Sequence, residues 1–376
     1  MFWRMAFQLI PWLVWALSLL VVVRPLGLGR RGAVLASAAL GIAFGKFAFF
    51  AVVGGDGFTP DLPQYAIWAY GWIYGAAMLL TMLAFAVRVI DGAALIFRRR
   101  ASLRTKRIRC AALAAFSAAF SMWGIYEGVR VPSVRRVEIV CQGLPASFDG
   151  YRIVHLSDLH CSTAARRARF EGIVARVNAL KPDLVAITGD FVDGTVADRG
   201  GDLAPLSGLV ARDGVVGCSG NHEKYWEWDR WSAALKGMGI AFPEDSGVSV
   251  MRRGDDMLAV GGLVDPAFGV HDCAAAAFAG APAGAFRILL FHRPYTEGID
   301  SAGGDVRLQL SGHTHGGAMP ILRTLVERVN EGRSRGLYEF APGRHLHLSP
   351  GTGQWAGFPL RFFNPAEISE LVLRAG

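Results

Sequence analysis

Five times between residues 152 and 315, a short apolar run ends at a metal-ligand side chain, four of them through a small or polar residue. Arg152 to Leu156 runs into Ser157-Asp158-Leu159-His160, and Asp183 to Thr188 into Gly189-Asp190-Phe191-Val192-Asp193. Val215 to Cys218 leads to Gly220-Asn221-His222-Glu223, Phe286 to Phe291 leads to His292, and Val306 to Leu310 leads to Gly312-His313-Thr314-His315. Runs this short and this rich in β-branched residues read as strands covered on both faces. Such strands deliver ligands at their C-terminal ends, where open α/β sheets bind them. In an extended segment positions i and i+2 point the same way, so Asp158 and His160 are expected to face one ion. Gly189, Gly220 and Gly312 let the backbone turn sharply and approach an ion or phosphate closely. Any one of these pairs alone is ordinary turn chemistry; the repetition gives them weight. Between the strands, Ala164 to Leu180 reads as an amphipathic helix with Phe170, Ile173, Val174 and Val177 on its apolar face, and Val248 to Leu263 as a hairpin. Leu337 to Phe340, His345 to Leu348 and Ile368 to Leu373 add further strands, so mixed sheets are expected.

The first third of the chain is different. Of the 376 residues 52% are hydrophobic, more than an ordinary soluble protein carries, and the excess lies at the N-terminal end. Four stretches, 5–23, 33–53, 66–90 and 108–126, are long enough to cross a bilayer, which takes about 20 residues. The first lacks a small-residue cleavage site and is read as retained. A membrane anchor over 1–130 and an α/β domain over 131–376 are therefore expected. Residues 1–136 hold 16 Lys and Arg against 4 Asp and Glu, whereas residues 137–376 hold 23 against 27. The basicity belongs to the membrane part, which removes the main support for nucleic-acid binding. Arg24, Arg30 and Arg31 lie in one connection and Arg98, Arg99, Arg100, Arg104, Lys106 and Arg107 in another, while the connection between them carries only Asp56 and Asp61. The positive-inside rule makes the two basic loops cytoplasmic and the α/β domain extracytoplasmic, although Arg130, Arg135 and Arg136 lean the other way. Lys46, inside the second stretch, is expected to face the bundle or to snorkel rather than to serve transport. Cys110, Cys141, Cys161, Cys218 and Cys273 show no zinc-like spacing, and one disulfide among the last four is conceivable in an oxidising compartment.

Asp-x-His, Gly-Asp-x-x-Asp, Gly-Asn-His-Glu, a lone His after a strand and Gly-His-Thr-His, in this order, resemble the calcineurin-like metallophosphoesterase superfamily. Ser311 to Gly317, Pro350-Gly351-Thr352-Gly353 and Pro359-Leu360-Arg361 resemble more narrowly its membrane-associated YkuE/YaeI-like branch. The likeness covers roughly residues 137–376 and implies a four-layer α/β/β/α sandwich. It also implies two divalent ions, of Mn, Fe or Zn, which the carboxylate, imidazole and amide donors suit. One ion would take Asp158, His160, Asp190 and His315, and the other Asp190, Asn221, His292 and His313, with Asp190 bridging. His222 would protonate the leaving oxygen and Glu223 would orient it. Two ions about 3.5–4 Å apart can clamp a phosphate and turn a water into the attacking hydroxide.

There are departures from the pattern. Glu223 stands where many relatives carry Asp, and His292-Arg293-Pro294-Tyr295 where many read His-Asn-Pro-Asp. Arg293 is either a phosphate contact or a solvated arginine, and Arg361 is a second candidate for local positive charge. Asp193 is read as supporting the ligand loop. His155, His345 and His347 read as structural, and His271 is unassigned. Tyr225, Trp226 and Trp228 could rim the site, with Trp231 read as packing.

The expectation is a membrane-anchored phosphoesterase, bacterial by its resemblance, that hydrolyses a phosphodiester or pyrophosphate bond of a small-molecule or lipid-linked envelope substrate. The alternatives are a cytoplasmic-facing pyrophosphohydrolase of a nucleotide-sugar lipid, which needs inverted topology, and a non-catalytic metal-binding membrane sensor.

Overall fold

The computed structural model describes residues 2–55, 57, 59–96, 101–269, 274–296, 305–317 and 319–376. Asp56, Arg98, Arg99, Arg100, His271 and Cys273 lie outside the described residues. The chain divides into two compact units: Met1–Tyr126 with Ala356–Leu360, and Glu127–Trp355 with Arg361–Gly376. The division thus falls a few residues before 130, and a five-residue segment from far along the chain joins the helical unit.

The helical unit is built of α1 (Phe2–Ser18), α2 (Arg30–Phe44), α3 (Lys46–Val53), α4 (Gln64–Ile96) and α5 (Leu103–Val129). Leu9–Leu26, Gln64–Ala94 and Leu103–Val129 are each long and apolar enough to cross a membrane. The stretch expected to be one continuous span over 33–53 is broken instead: α2 and α3 meet at 62° and make a fourth span only if taken together. The break falls at Gly45, a residue with little helical preference of its own.

Lys46 follows the break and is fully buried, with Nζ donating to Gly357 O at 2.7 Å and standing 5.2–5.4 Å from the ring centres of Phe47, Phe50 and Tyr74. It faces the interior of its unit and does not snorkel. Along α4, Gly71 and Gly75 leave room for the same inserted segment: a Cβ at Gly71 would stand 2.8 Å from Pro359 Cγ, and one at Gly75 2.6 Å from Leu360 Cδ1. Replacing Lys46 by Met leaves a carbonyl buried without its donor, a loss of about 1–3 kcal/mol. The expected readout is faster hydrogen exchange across Ala356–Leu360 in the detergent-solubilised chain; unchanged protection would contradict this role for the amine.

The α/β unit contains two six-stranded mixed sheets, ordered β1-β12-β2-β3-β4-β5 and β10-β11-β9-β8-β7-β6. In the first, β2 (Arg152–Leu156), β3 (Leu184–Thr188), β4 (Val215–Cys218) and β5 (Ile240–Ala241) run parallel. β12 (Glu367–Ala375) lies antiparallel to β2 and parallel to β1 (Ser133–Cys141). In the second sheet β7 (Asp256–Gly262), β8 (Phe286–Leu290), β9 (Val306–Ser311) and β11 (Arg344–Leu348) run parallel, with β6 (Ser249–Arg253) and β10 (Gly336–Ala341) antiparallel at the two edges.

Burial explains the strand sequences. Ile153, Leu184, Ala186 and Val216 of the first sheet share one core cluster with Leu258, Val260, Ile288 and Leu308 of the second, so the sheets pack face to face. The other face of the first sheet, with Val154, Val185 and Ile187, is covered by Phe170, Ile173 and Val177 of α6 (Arg167–Ala179) and by Trp231 and Leu235. Residues alternating along one strand are thus all buried, and no polar alternation survives. α6 starts three residues later than its periodicity suggests, because Cys161 and Ser162 make isolated bridges to Val192 and Ala165. Cys110, Cys141, Cys161 and Cys218 are free thiols.

Candidate metal centre

Parallel strands within each sheet bring the ends of β2, β3, β4, β8 and β9 to one side of the unit, and the five polar blocks follow directly from them. The blocks are knitted by backbone bonds: Asp158 N–H donates to Gly189 O, His160 N–H to Asp190 O, and Gly312 N–H to His292 O, at 2.9–3.0 Å. Asp158, His160, Asp190, His313 and His315 all have positive φ, between 45° and 73°. They are therefore not extended, and alternation along a strand is not what lets Asp158 and His160 share a site. The left-handed backbone just beyond the strand ends turns their side chains inward. Asp and His tolerate this conformation better than most residues, but five such residues in one place mark strain held by the surrounding structure at a functional site.

Gly312 is required here by space. A Cβ at that position would run into Ser157 Oγ and the Asp158 carboxylate, and one at Gly220 into Asp190.

Among the described residues, three groups of side chains converge closely enough to hold a cation: Asp158, His160 and His315; Asp190, His292 and His313; and His160, Asp193 and His222. Asp190 stands between them, with Oδ2 at 3.3 Å from His292 Nε2 and 3.8 Å from His160 Nε2. Its Oδ1 accepts the backbone N–H of His222 at 2.8 Å.

The donor set fits divalent ions on two further observations. Among the described residues, Asn221 Oδ1 and His292 Nε2 are buried without a hydrogen-bond partner, a costly arrangement unless a cation takes them. His292 Nδ1–H is spent on Thr188 O at 2.8 Å, which makes Nε2 the atom that would ligate. Burial works against a charged His292, yet Asp190 and Asp158 outweigh it and push the imidazole up to about 10, so the field at the centre favours positive charge.

Glu223 does not orient His222. Its buried carboxylate accepts the backbone N–H groups of Gly220, Asp190 and Phe191 at 2.7–2.8 Å, which ties the β3 and β4 loops together. The partner of His222 is Asp193: Oδ1 lies 2.5 Å from His222 Nδ1, while Oδ2 reaches His160 Nδ1 at 3.0 Å. Asp193 therefore supports more than its loop, since one carboxylate holds both a ligand candidate and the acid candidate. Burial disfavours charge on both partners, but His222 and His160 hold Asp193 below the usual carboxylate range, and Asp190 and Asp193 hold His222 up at about 9. The Gly-Asp-x-x-Asp spacing was the sequence signal for this role, but it does not say which neighbour the second Asp meets.

Arg293 is clamped by the buried Asp265, Nε to Oδ2 at 2.9 Å and Nη2 to Oδ1 at 3.2 Å, with Nη1 3.5 Å from His313 Nε2. Asp265 carried no sequence signal. Arg361 is fully buried and donates to Gly353 O and Asn364 O, with Nη2 also 3.3 Å from His315 Nδ1, so it supports the ligand loop and is shielded from any substrate. Trp231 is core, its Nε1–H donating to Gly194 O. Trp226 and Trp228 pack half-buried against the same core and form no free rim. Tyr225 is 62% exposed with its ring 5.3 Å from that of His222, and it is the one of these aromatics open at the site.

Residues 151–317 match the family model described as calcineurin-like phosphoesterase. The chain is 32% identical to a Danio rerio protein named transmembrane protein with metallophosphoesterase domain, over 69% of this chain and 61% of that protein. It is 30% identical to a Bos taurus protein of the same name, over 72% of this chain and 64% of the relative. A Bacillus subtilis protein named uncharacterized metallophosphoesterase YkuE is 29% identical, over 62% of this chain and 82% of that protein. The chain thus spans less than two thirds of the length of the two vertebrate relatives.

Proposed function

The chain belongs to the calcineurin-like phosphoesterase family, and on that premise we propose that it is a membrane-anchored hydrolase of phosphodiester or pyrophosphate bonds working with two divalent ions. Asp158, His160 and His315 would hold one ion and Asn221, His292 and His313 the other, with Asp190 shared. The observation that carries this reading is the position of Asp190 Oδ2, within 4 Å of imidazoles from both groups. Bound there, the ions would neutralise phosphate charge and acidify a water.

The remaining chemistry belongs to the chain. His222, its Nδ1 engaged by Asp193, presents Nε2 to the leaving oxygen and supplies the proton. Arg293, aimed by Asp265, grips a phosphate oxygen beside His313. The domain is read as an α/β/β/α sandwich on the extracytoplasmic side, from Arg24, Arg30, Arg31, Arg104, Lys106 and Arg107 in the flanking loops. A reporter fused after Gly376 that is active only in the cytoplasm would reverse that orientation and favour the cytoplasmic pyrophosphohydrolase.

The test is a hydrolysis panel on the detergent-purified chain with and without Mn²⁺: a generic monoester, a generic diester and a lipid pyrophosphate. Mn²⁺-dependent turnover of the diester or the pyrophosphate is expected, and bound metal with no turnover of any of the three would overturn the reading. Arg293→Ala is expected to lower kcat/KM by about 10- to 100-fold, the worth of one charge-assisted hydrogen bond, mostly through KM. Asp265→Asn should reproduce part of that loss by freeing the guanidinium. An unchanged KM in both variants would leave Arg293 as a surface arginine.

A further inference from the structure

Behind the centre, between the two sheets, lie two buried histidines that the proposed chemistry does not use. His155 on β2 and His347 on β11 are 0% and 1% exposed, and their Nδ1 atoms stand 2.9 Å apart. His155 Nε2 is 2.8 Å from Thr188 Oγ1, Thr188 Oγ1 is 2.9 Å from Ser157 Oγ, and Ser157 Oγ is 2.7 Å from Asp158 Oδ2. Four short contacts thus run unbroken from the sheet interface to a ligand candidate.

The proton positions along this path follow by counting donors. Ser157 Oγ has a single proton, which faces Asp158 Oδ2 at 2.7 Å and has Thr188 O as a second acceptor at 2.9 Å. Ser157 Oγ then has only lone pairs left, and Thr188 must donate to it. Thr188 Oγ1 in turn must accept from His155, which places a proton on His155 Nε2. Burial holds both imidazoles neutral, pushing His155 well down and His347 down to about 3. A neutral His155 protonated on Nε2 has a bare Nδ1, so the proton between the rings belongs to His347 Nδ1. Every bond points the same way, towards the carboxylate, and bonds aligned in this manner polarise one another.

We infer that His347, His155, Thr188 and Ser157 form a one-directional hydrogen-bond chain that pins Asp158 Oδ2 and leaves Oδ1 to the metal, making the two histidines positioning residues of the centre. The His313 N–H lies 3.1 Å from both carboxylate oxygens and does not distinguish them, whereas Oδ1 is the oxygen that faces His315 Nε2, at 3.4 Å. The chain also touches the other half of the centre, because Thr188 O is the acceptor that orients His292. This inference rests on the proposed role of Asp158 as a ligand, not on which phosphate ester is cleaved.

The first test reads the tautomers directly. In the full-length, ¹⁵N-histidine-labelled chain in detergent without metal, imidazole nitrogen shifts should show His155 protonated at Nε2 and His347 at Nδ1. The opposite tautomer at either residue would overturn the chain, whether or not the protein hydrolyses any ester. The second test separates orientation from packing. His155→Gln keeps a donor for Thr188 and an acceptor for His347, whereas His155→Met keeps only the bulk. Supporting partners of metal ligands are typically worth 10- to 100-fold in affinity. Calorimetric titration with Mn²⁺ is therefore expected to give affinity weakened about tenfold in the Met variant and largely restored in the Gln variant. Equal loss in both would make His155 a packing residue and sink the proposal.

Discussion

Asp190→Asn is expected to release Mn²⁺ from both halves of the centre and to abolish metal-dependent hydrolysis. Asn keeps the shape and one oxygen, so the bond from His222 N–H to Oδ1 can survive and the loop should stay folded. What disappears is the anionic Oδ2 that stands between His292 Nε2 and His160 Nε2. In the proposed arrangement each of these imidazoles would hold one ion, whereas this oxygen lies within 4 Å of imidazoles from both groups. Partners that merely support a ligand already cost 10- to 100-fold in affinity, so losing a shared ligand should cost at least about 100-fold at each ion. The measurement is metal content after dialysis beside hydrolysis of the preferred substrate. Wild-type turnover in the variant would remove the two-ion reading altogether, and loss of only one equivalent of metal would show that Asp190 is not shared.

The strands were legible because burial on both faces leaves near-continuous β-branched runs, as in Ile153-Val154 and Leu184-Val185-Ala186-Ile187. The ligand candidates were legible because a strand-like run ending at Asp, Asn or His recurs five times, four of them through Gly or Ser, which turn chemistry alone does not require. Their geometry was less so: Asp158 and His160 converge through positive φ and not through strand alternation, a backbone state that residue spacing does not report. The partner of His222 was misread for a related reason. Glu223 is adjacent in sequence, but a side chain in the short helical turn Asn221–Tyr225 points away from that of its neighbour, and Glu223 is drawn instead to four bare N–H groups of Gly220, Asp190, Phe191 and Val192. The dependence of Arg293 on Asp265, 28 residues away, and of Lys46 on Gly357, 311 residues away, are long-range facts that no local pattern encodes.

The pairing of His222 with Asp193 carries the other large effect. His222→Asn is expected to lower kcat by about 10²- to 10⁴-fold, the usual worth of a positioned general acid. The loss should be smallest for esters of acidic phenols, whose oxygens leave without help, and largest for alkyl esters; equal loss on both would mean that His222 binds substrate and does not protonate it. Asp193→Asn acts by a different route. Its negative charge stabilises the protonated imidazole, so removing it lowers the His222 pKa from about 9, and the alkaline limb of the kcat profile should move to lower pH. The same substitution loosens His160 Nδ1, so Mn²⁺ affinity should fall as well, which His222→Asn alone does not require. Glu223→Gln is the control: it weakens the backbone ties and lowers stability, but Glu223 acts on the His222 ring only through its charge, a smaller influence than that of Asp193, and should move the alkaline limb less than Asp193→Asn does. A limb displaced by Glu223→Gln as far as by Asp193→Asn would return the orienting role to Glu223, and a limb that moves upward in Asp193→Asn would mean that His222 is not the titrating acid.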